Sequence, residues 1–262
     1  MRVVFVLLTA LAVLASAGRA EEVDLELLLL VDVSRSMSPA ELEIQRRGYA
    51  EALKSDAVAT ALGRTMTGRI ALAYVEWAGE HRQTVVRDWT LVAGREDLGA
   101  FAATLLEART VTQSRTSIAS ALRAGAFLIG ANEFDGLRRV IDISGDGPNN
   151  QGGLVTLARD GVLAEGITIN GLPLMTHDGR GAIWRLDDLD TYYARCVIGG
   201  PGAFVLPVTD WRDFTAAVTR KLVLEIAGAP SERLIRIEAA APYDCEIGEK
   251  IWQRNRNFRD IP

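Results

Sequence analysis

Three short polar segments of the 262-residue chain carry oxygen-bearing side chains that could do chemistry. They are Asp32-Val33-Ser34-Arg35-Ser36, Ser114-Arg115-Thr116, and the stretch 144–150, which contains Asp146. The candidate ligands among them are two carboxylates and three hydroxyls, all hard oxygen donors, with no Cys or His: Asp32, Ser34, Ser36, Thr116 and Asp146. Such donors suit Mg²⁺, Mn²⁺ or Ca²⁺ rather than zinc or copper. His81 and His177 are the only histidines, which excludes an imidazole-rich metal site.

The spacing within Asp32-x-Ser34-x-Ser36 has a physical reason. As the chain leaves a strand and turns toward a helix, alternate side chains can project toward one point. Taken singly, each segment is equally typical of a plain turn or a helix cap. A metal site therefore requires a fold that brings the three segments together.

An alternation of strands and helices must position these segments. The apolar run 25–33 is typical of a strand buried on both faces, and Ser38-Pro39-Ala40-Glu41 predicts a helix start with a capping box. The other patterns predict strands at 69–77, 83–89, 139–144, 167–172 and 203–208, and helices at 39–62, 96–108, 117–129, 152–163, 186–195 and 210–226.

These elements predict an α/β fold: a doubly wound, mainly parallel six-stranded sheet with one antiparallel edge strand. In an open sheet of this kind, ligands bind beyond the carboxyl ends of the strands, where the strand order reverses. We therefore expect the three polar segments to share one rim.

The ends of the chain predict export. Residues 1–20 have a basic start at Arg2, an apolar run over 3–15 and small residues at Ala15-Ser16-Ala17, a pattern typical of a cleaved signal peptide. The alternative, a membrane anchor, needs a run of about 20 residues. We expect a periplasmic or secreted protein without a membrane span in its mature chain, with one domain over 21–228 and an irregular tail over 229–262.

Cys196 and Cys245 are the only cysteines. An even pair in an exported chain indicates one disulfide, which would tie the tail to the domain. The alternative is a pair of buried thiols.

The charge argues against a nucleic-acid partner. The formal net charge is −5, from 29 basic and 34 acidic residues, and the basic residues form no cluster. Removal of the predicted signal peptide takes away Arg2 and Arg19 and leaves 27 basic against 34 acidic residues, or −7.

Taken jointly, the polar segments resemble the signature of von Willebrand factor type A (vWA) domains. Residues 32–36 match the D-x-S-x-S motif, residues 116–122 resemble the T-x-I-x-x-A-L loop and helix start, and Asp146-Gly147 resembles the D-G pair after the fourth strand. The resemblance covers roughly residues 24–227. The stretches 144–150 and 196–202, with the Cys245 tail, also resemble an uncharacterised group of exported bacterial proteins with this fold.

The resemblance implies a metal-ion-dependent adhesion site (MIDAS). Ser34 and Ser36 would coordinate Mg²⁺, or Mn²⁺ or Ca²⁺, directly; Thr116 would do so in the ligand-ready state, and Asp32 and Asp146 would act largely through water. An inner shell of mostly neutral hydroxyls leaves the cation poorly neutralised, so it attracts an Asp or Glu carboxylate of a protein partner.

Two positions depart from the family pattern. Arg115 stands where the family often has Gly, and the fourth strand ends in Ser-Gly-Asp-Gly rather than Thr-Asp-Gly. Neither departure removes a ligand.

The expected function is an exported, metal-dependent binding or adhesion module rather than an enzyme. One alternative is a Mg²⁺-dependent phosphoester hydrolase that uses the same carboxylates. That alternative lacks the second Asp two residues after Asp32 that phosphoaspartyl enzymes require. The other alternative is a structural domain with a vestigial metal site.

Overall fold

The computed structural model describes residues 20–108, 111–176, 186–228 and 243–259, the side chains of the last range as far as Asn255. Residues 1–19 of the predicted signal peptide and residues 229–242 of the tail lie outside this part of the chain. No helix within the described ranges is long and apolar enough to cross a membrane.

Strands and helices alternate along the described chain. The strands are β1 (Glu21–Val23), β2 (Leu25–Asp32), β3 (Ile70–Trp77), β4 (Gln83–Val92), β5 (Phe134–Gly136), β6 (Arg139–Gly145) and β7 (Thr168–Pro173). The α-helices are α1 (Pro39–Leu53), α2 (Asp56–Leu62), α3 (Arg95–Glu107), α4 (Ile118–Gly130), α5 (Val155–Ala164), α6 (Leu189–Tyr192), α7 (Phe214–Ala227) and α8 (Ile247–Arg259).

The main sheet has the strand order β4-β3-β2-β6-β7. β4 runs antiparallel to β3, and the other neighbours are parallel. The short strands β1 and β5 form a separate parallel pair. The predicted α/β fold with a mainly parallel sheet and one antiparallel edge strand is confirmed.

The predicted count of six strands is wrong for the described residues, in which the main sheet has five. Residues 203–208 run parallel to β7 but make isolated bridges, at Gly171 within the strand and at Leu174 just after it. Pro173 lies between these two positions and has no N–H to donate. The proline therefore interrupts the ladder that would have made this segment a sixth strand.

Helices cover both faces of the sheet because the central strand is apolar on both. In β2, Leu27 and Leu29 pack into one core with α1, α3 and α7, whereas Leu28 and Leu30 pack into the other with α4, α5 and α6. Every residue of β2 is buried. The continuous apolar run that predicted this strand follows from burial on both sides.

The single helix predicted over 39–62 is two helices. α1 ends at Leu53, and the Ser55 side chain accepts a hydrogen bond from the main-chain N–H of Val58 to cap α2. Serine is among the best N-cap residues, so a new helix starts here rather than continuing the first.

The described part of the tail, residues 243–259, is not irregular as predicted. It contains α8, and Cys245 just before this helix forms a disulfide with Cys196 in the π-helical turn Tyr193–Val197 that follows α6. The disulfide ties the C-terminal helix to the core that contains α4, α5 and α6.

Candidate functional site

The site lies where the strand order of the sheet reverses. From β2 the chain passes to β3 on one side, and it later returns to β6 on the other side of β2. The carboxyl ends of β2 and β6 therefore flank the crevice in which open α/β sheets bind ligands. Asp32 is the last residue of β2, and Asp146 directly follows β6.

A chain of hydrogen bonds joins four of the five predicted ligands. The main-chain N–H of Ser34 donates to Oδ1 of Asp32 at 2.7 Å. The hydroxyls of Ser34 and Ser36 are 2.7 Å apart, and Ser36 donates to Oδ1 of Asp146 at 2.7 Å. Two carboxylates and two hydroxyls from segments distant in sequence thus form one cluster.

The fifth predicted ligand, Thr116, is held beside this cluster by its main chain. Gln113 forms a parallel bridge with Ser34, and Arg35 donates its N–H to the carbonyl of Gln113 at 2.9 Å. The Thr116 N–H donates to Oδ1 of Asn150 at 3.1 Å, and the Asn150 N–H donates to the carbonyl of Thr116 at 2.9 Å. The contacts that place Thr116 are thus made by its main chain.

Asp32 lies in an electrostatically unfavourable position. It is 0% exposed, and its Oδ2 has no hydrogen-bond partner among the described residues. Burial is the larger cause that raises the pKa of Asp32 well above its ordinary value, and the negative charge of Asp146 is the second. Hydrogen bonds from Ser34 oppose this rise. A divalent cation would offset the repulsion and satisfy the orphaned oxygen. The residues present therefore fit the implied hard cation.

Because Gly145 has no side chain, it leaves space for Oδ2 of Asp32. A Cβ at this position would lie 2.9 Å from Asp32 Oδ2 and 2.9 Å from the hydroxyl of Tyr193. That hydroxyl is buried and has no hydrogen-bond partner in the described part of the chain, and burial raises its pKa. Any side chain at residue 145 would displace both oxygens.

The loop that carries the two serines ends on a capped helix. Ser38 accepts from the N–H of Glu41 at 3.2 Å, and the Glu41 carboxylate accepts from the N–H of Ser38 at 2.6 Å, so the predicted capping box is present. One turn further along α1, Gln45 donates to the carbonyl of Asp32 at 2.9 Å. No local pattern pointed to Gln45, because its role depends on how α1 packs over β2.

Arg115 adopts a left-handed backbone with φ 76°, alone among the non-glycine residues described. This conformation costs an L-residue about 1–2 kcal/mol, which explains why a glycine suits the position. The exposed Arg115 guanidinium lies 4.2 Å from the ring centroid of Trp252 in α8. A cation–π contact at such a distance offsets part of the strain.

Asn149 is a second residue that sequence reasoning did not assign. It is fully buried; its Oδ1 accepts from the N–H of Ala119 at 2.9 Å, and its Nδ2 donates to the carbonyl of Gly153 at 3.0 Å. The pair Asn149-Asn150 shortly after a strand could have indicated this role, because asparagine side chains form hydrogen bonds readily with nearby main chain.

Within the described ranges, no group of three or more His, Cys, Asp or Glu side chains could hold a metal ion. The candidate set is different in kind, since it has two carboxylates and three hydroxyls.

Comparison with known sequences identifies a family. The model of a family described as "Protein of unknown function (DUF1194)" matches residues 22–230. Among curated proteins, none matches the chain.

Solved structures share the fold at low sequence identity. Proximal thread matrix protein 1 from the mussel byssus has a TM-score of 0.56 at 16% identity, over 79% of this chain and 49% of that one. BatB from Bacteroides thetaiotaomicron, a conserved hypothetical protein, has a TM-score of 0.53 at 16% identity, over 78% of this chain and 100% of that one. A von Willebrand factor type A from Catenulispora acidiphila has a TM-score of 0.51 at 12% identity, over 79% of this chain and 43% of that one.

These likenesses confirm the vWA fold. This chain spans about half the length of the mussel structure. Another structure of that mussel protein has a zinc-occupied MIDAS motif, at a TM-score of 0.52 and 15% identity, over 79% of this chain and 49% of that one.

Proposed function

We propose that this chain, which belongs to the DUF1194 family of proteins of unknown function, is an exported binding module. The module would hold a divalent cation at a MIDAS-type site, at the carboxyl edge of the sheet, and engage an acidic group of a protein partner. The observation that carries this proposal is the hydrogen-bonded cluster of Ser34, Ser36 and Asp146 beside the buried Asp32.

The donor chemistry favours Mg²⁺, with Mn²⁺ or Ca²⁺ as close substitutes. Ser34 and Ser36 would bind the cation directly, with Thr116 joining them in the ligand-ready state, while Asp32 and Asp146 would hold it largely through water. The zinc-occupied MIDAS motif of the mussel protein supports a divalent cation in this fold. When bound, the cation supplies an open Lewis-acidic position for a carboxylate.

The rim of the site is suited to an acidic ligand. Arg35 and Arg115 are both exposed, and each is next to a predicted ligand. The hydrogen bond from the Arg35 N–H to the carbonyl of Gln113 brings their two segments to the same edge. Their positive charges favour a partner's Asp or Glu side chain. The acidic net charge of the whole chain opposes this approach weakly, because salt screens charges beyond about 8–10 Å.

The disulfide supports export to the periplasm or beyond the cell. Cys196 and Cys245 are the only cysteines in the sequence, and they are joined to each other. Structural disulfides persist in oxidising compartments.

Isothermal titration with MgCl₂ tests the proposed site. We expect wild type to bind one Mg²⁺ and Asp32→Ala to bind none. Asp160→Ala, which removes an exposed carboxylate from α5, is the matched control and binds as wild type does. Equal binding by wild type and Asp32→Ala contradicts the proposal. A metal-dependent phosphatase activity lost in Asp146→Ala would favour the hydrolase alternative.

A further inference from the structure

The C-terminal helix α8 packs against the loops of the candidate site, although it lies at the far end of the chain. The Trp252 ring lies under the guanidinium of Arg115, the residue before Thr116. Glu249 Oε1 accepts a 2.6 Å hydrogen bond from Nδ2 of Asn149. Two side chains of α8 thus contact two loops of the rim.

Asn149 connects α8 to the Thr116 loop. Its side chain accepts from the N–H of Ala119 in the first turn of α4, and the next residue, Asn150, bonds both main-chain groups of Thr116. Gly248 lies so close to the main-chain carbonyl of Asn149 that a Cβ there would clash. Helix α8 therefore contacts the main chain of the loop as well as its side chain.

The position of α8 is fixed by covalent and aromatic contacts. Cys245, just before the helix, is bonded to the buried Cys196. Tyr243 packs edge-on against Tyr192 at 6.2 Å between ring centroids, and the Tyr192 hydroxyl accepts from the N–H of Asn149 at 3.1 Å. The same loop is thus held from two sides.

We propose that Trp252 and Glu249 are positioning residues for the cation, although neither belongs to the predicted ligand set. By holding Arg115 and Asn149, they keep the Thr116 loop at the rim. The inference rests on the proposed cation site. Removal of the Trp252 side chain, or reduction of the disulfide, weakens Mg²⁺ binding about 10-fold, the lower end of the loss expected when a residue that orients a metal ligand is removed.

Titration of the full chain with MgCl₂ measures this effect. We expect Trp252→Ala to bind about 10-fold more weakly, and Trp252→Phe, which keeps an aromatic face for Arg115, to stay within about threefold of wild type. Trp89→Ala is the matched control: Trp89 is a partly buried tryptophan that donates to the carbonyl of Leu128 near the opposite end of α4. It leaves the affinity unchanged.

Hydrogen exchange in metal-free protein gives a readout that does not depend on the cation. In Trp252→Ala, the amides of Thr116 and Ala119 exchange faster than in wild type or Trp89→Ala, while the core strands keep their protection. A merely stabilising role for α8 would instead change exchange throughout the domain.

The outcomes separate the two claims. If wild type binds Mg²⁺ and folded Trp252→Ala binds it equally well, with unchanged exchange at Thr116 and Ala119, the positioning role is wrong and the proposed function stands. If wild type binds no Mg²⁺, the proposed function fails and the positioning role toward the cation fails with it.

Discussion

The hydroxyl of Ser36 donates a 2.7 Å hydrogen bond to Oδ1 of Asp146, across 110 positions of sequence. The bond is possible because β2 and β6 are parallel neighbours, so that the chain leaves both strands at the same edge. The candidate site is therefore a direct consequence of strand order, and its properties can be tested through residues that shape this edge.

Gly145→Ala should disrupt the site by displacing Asp32. The added Cβ would lie 2.9 Å from Asp32 Oδ2 and from the Tyr193 hydroxyl, both buried. We expect a loss of roughly 1–3 kcal/mol in unfolding free energy and loss of Mg²⁺ binding. Urea denaturation and isothermal titration measure the two effects.

Gly147→Ala is the matched control for that substitution. A Cβ at this position meets no atom within 4 Å, and the residue has no left-handed φ. Its Mg²⁺ affinity should equal that of wild type. If the two alanine variants bind alike, the close approach of Gly145 to Asp32 does not matter to the cation.

Lys221→Met should destabilise the fold strongly. The Lys221 ammonium is fully buried and lies 2.6 Å from both Asp142 Oδ1 and Glu225 Oε1. Its removal leaves two buried carboxylates without a cation, a change that costs about 3–5 kcal/mol. Urea denaturation at pH 7 measures the loss.

An exposed pair of the same spacing provides the comparison. Arg47 and Glu43 also stand four residues apart on a helix, but their side chains are 61% and 68% exposed. Arg47→Met should cost less than about 1 kcal/mol. Similar losses for the lysine and arginine variants would show that burial does not set the energy of the Lys221 cluster.

Glu225→Gln should flatten the dependence of stability on pH. Burial, and next the negative charge of Asp142, raise the pKa of Glu225 from 4.5 to about 7, with Lys221 and Asn170 opposing the shift. Between these values the folded chain keeps a proton that the unfolded chain has released, so the unfolding free energy falls as pH rises. The loss is about 3 kcal/mol at most, and Glu225→Gln removes it.

The measurement is the difference in unfolding free energy between wild type and Glu225→Gln at pH 5, 6, 7 and 8. Wild type should lose stability relative to the variant across this range. Glu43→Gln, on the exposed surface of α1, controls for loss of a carboxylate. Parallel profiles for wild type and Glu225→Gln would contradict the raised pKa.

The placement of two of the three ligand segments could be predicted because each directly follows a strand with a strong local pattern. The apolar run of β2 ends at Asp32, and the strand before Asp146 is equally plain. Polar residues directly after such strands share an edge in any mainly parallel sheet.

The remaining features depend on tertiary contacts that no local pattern records. Pro173 interrupts the sixth strand only because residues 203–208 lie beside it. Helix α8 is poor in apolar residues, so its sequence is typical of a solvated tail. In the fold, however, Ile251 is buried and Trp252 contacts Arg115. The packing of this helix, and with it the role of Asn149, follows from the disulfide and the loop contacts.

Removal of the disulfide by Cys196→Ala with Cys245→Ala should lower the melting temperature. The bond closes a loop over a separation of 49 residues. The chain-entropy model gives up to about 4 kcal/mol for a loop of this length. Thermal denaturation with and without reductant measures the loss: reductant should lower the transition of wild type and leave that of the double variant unchanged. A wild-type transition that does not respond to complete reduction would contradict a stabilising role.

The central claim is that a divalent cation binds between the carboxyl ends of β2 and β6. A crystal structure of the protein with MnCl₂, examined by anomalous difference density, tests it most directly. We expect one strong peak beside the hydroxyls of Ser34 and Ser36, with Asp32 and Asp146 reached largely through water. No peak at this edge under saturating Mn²⁺, or peaks only at surface carboxylates, would contradict it.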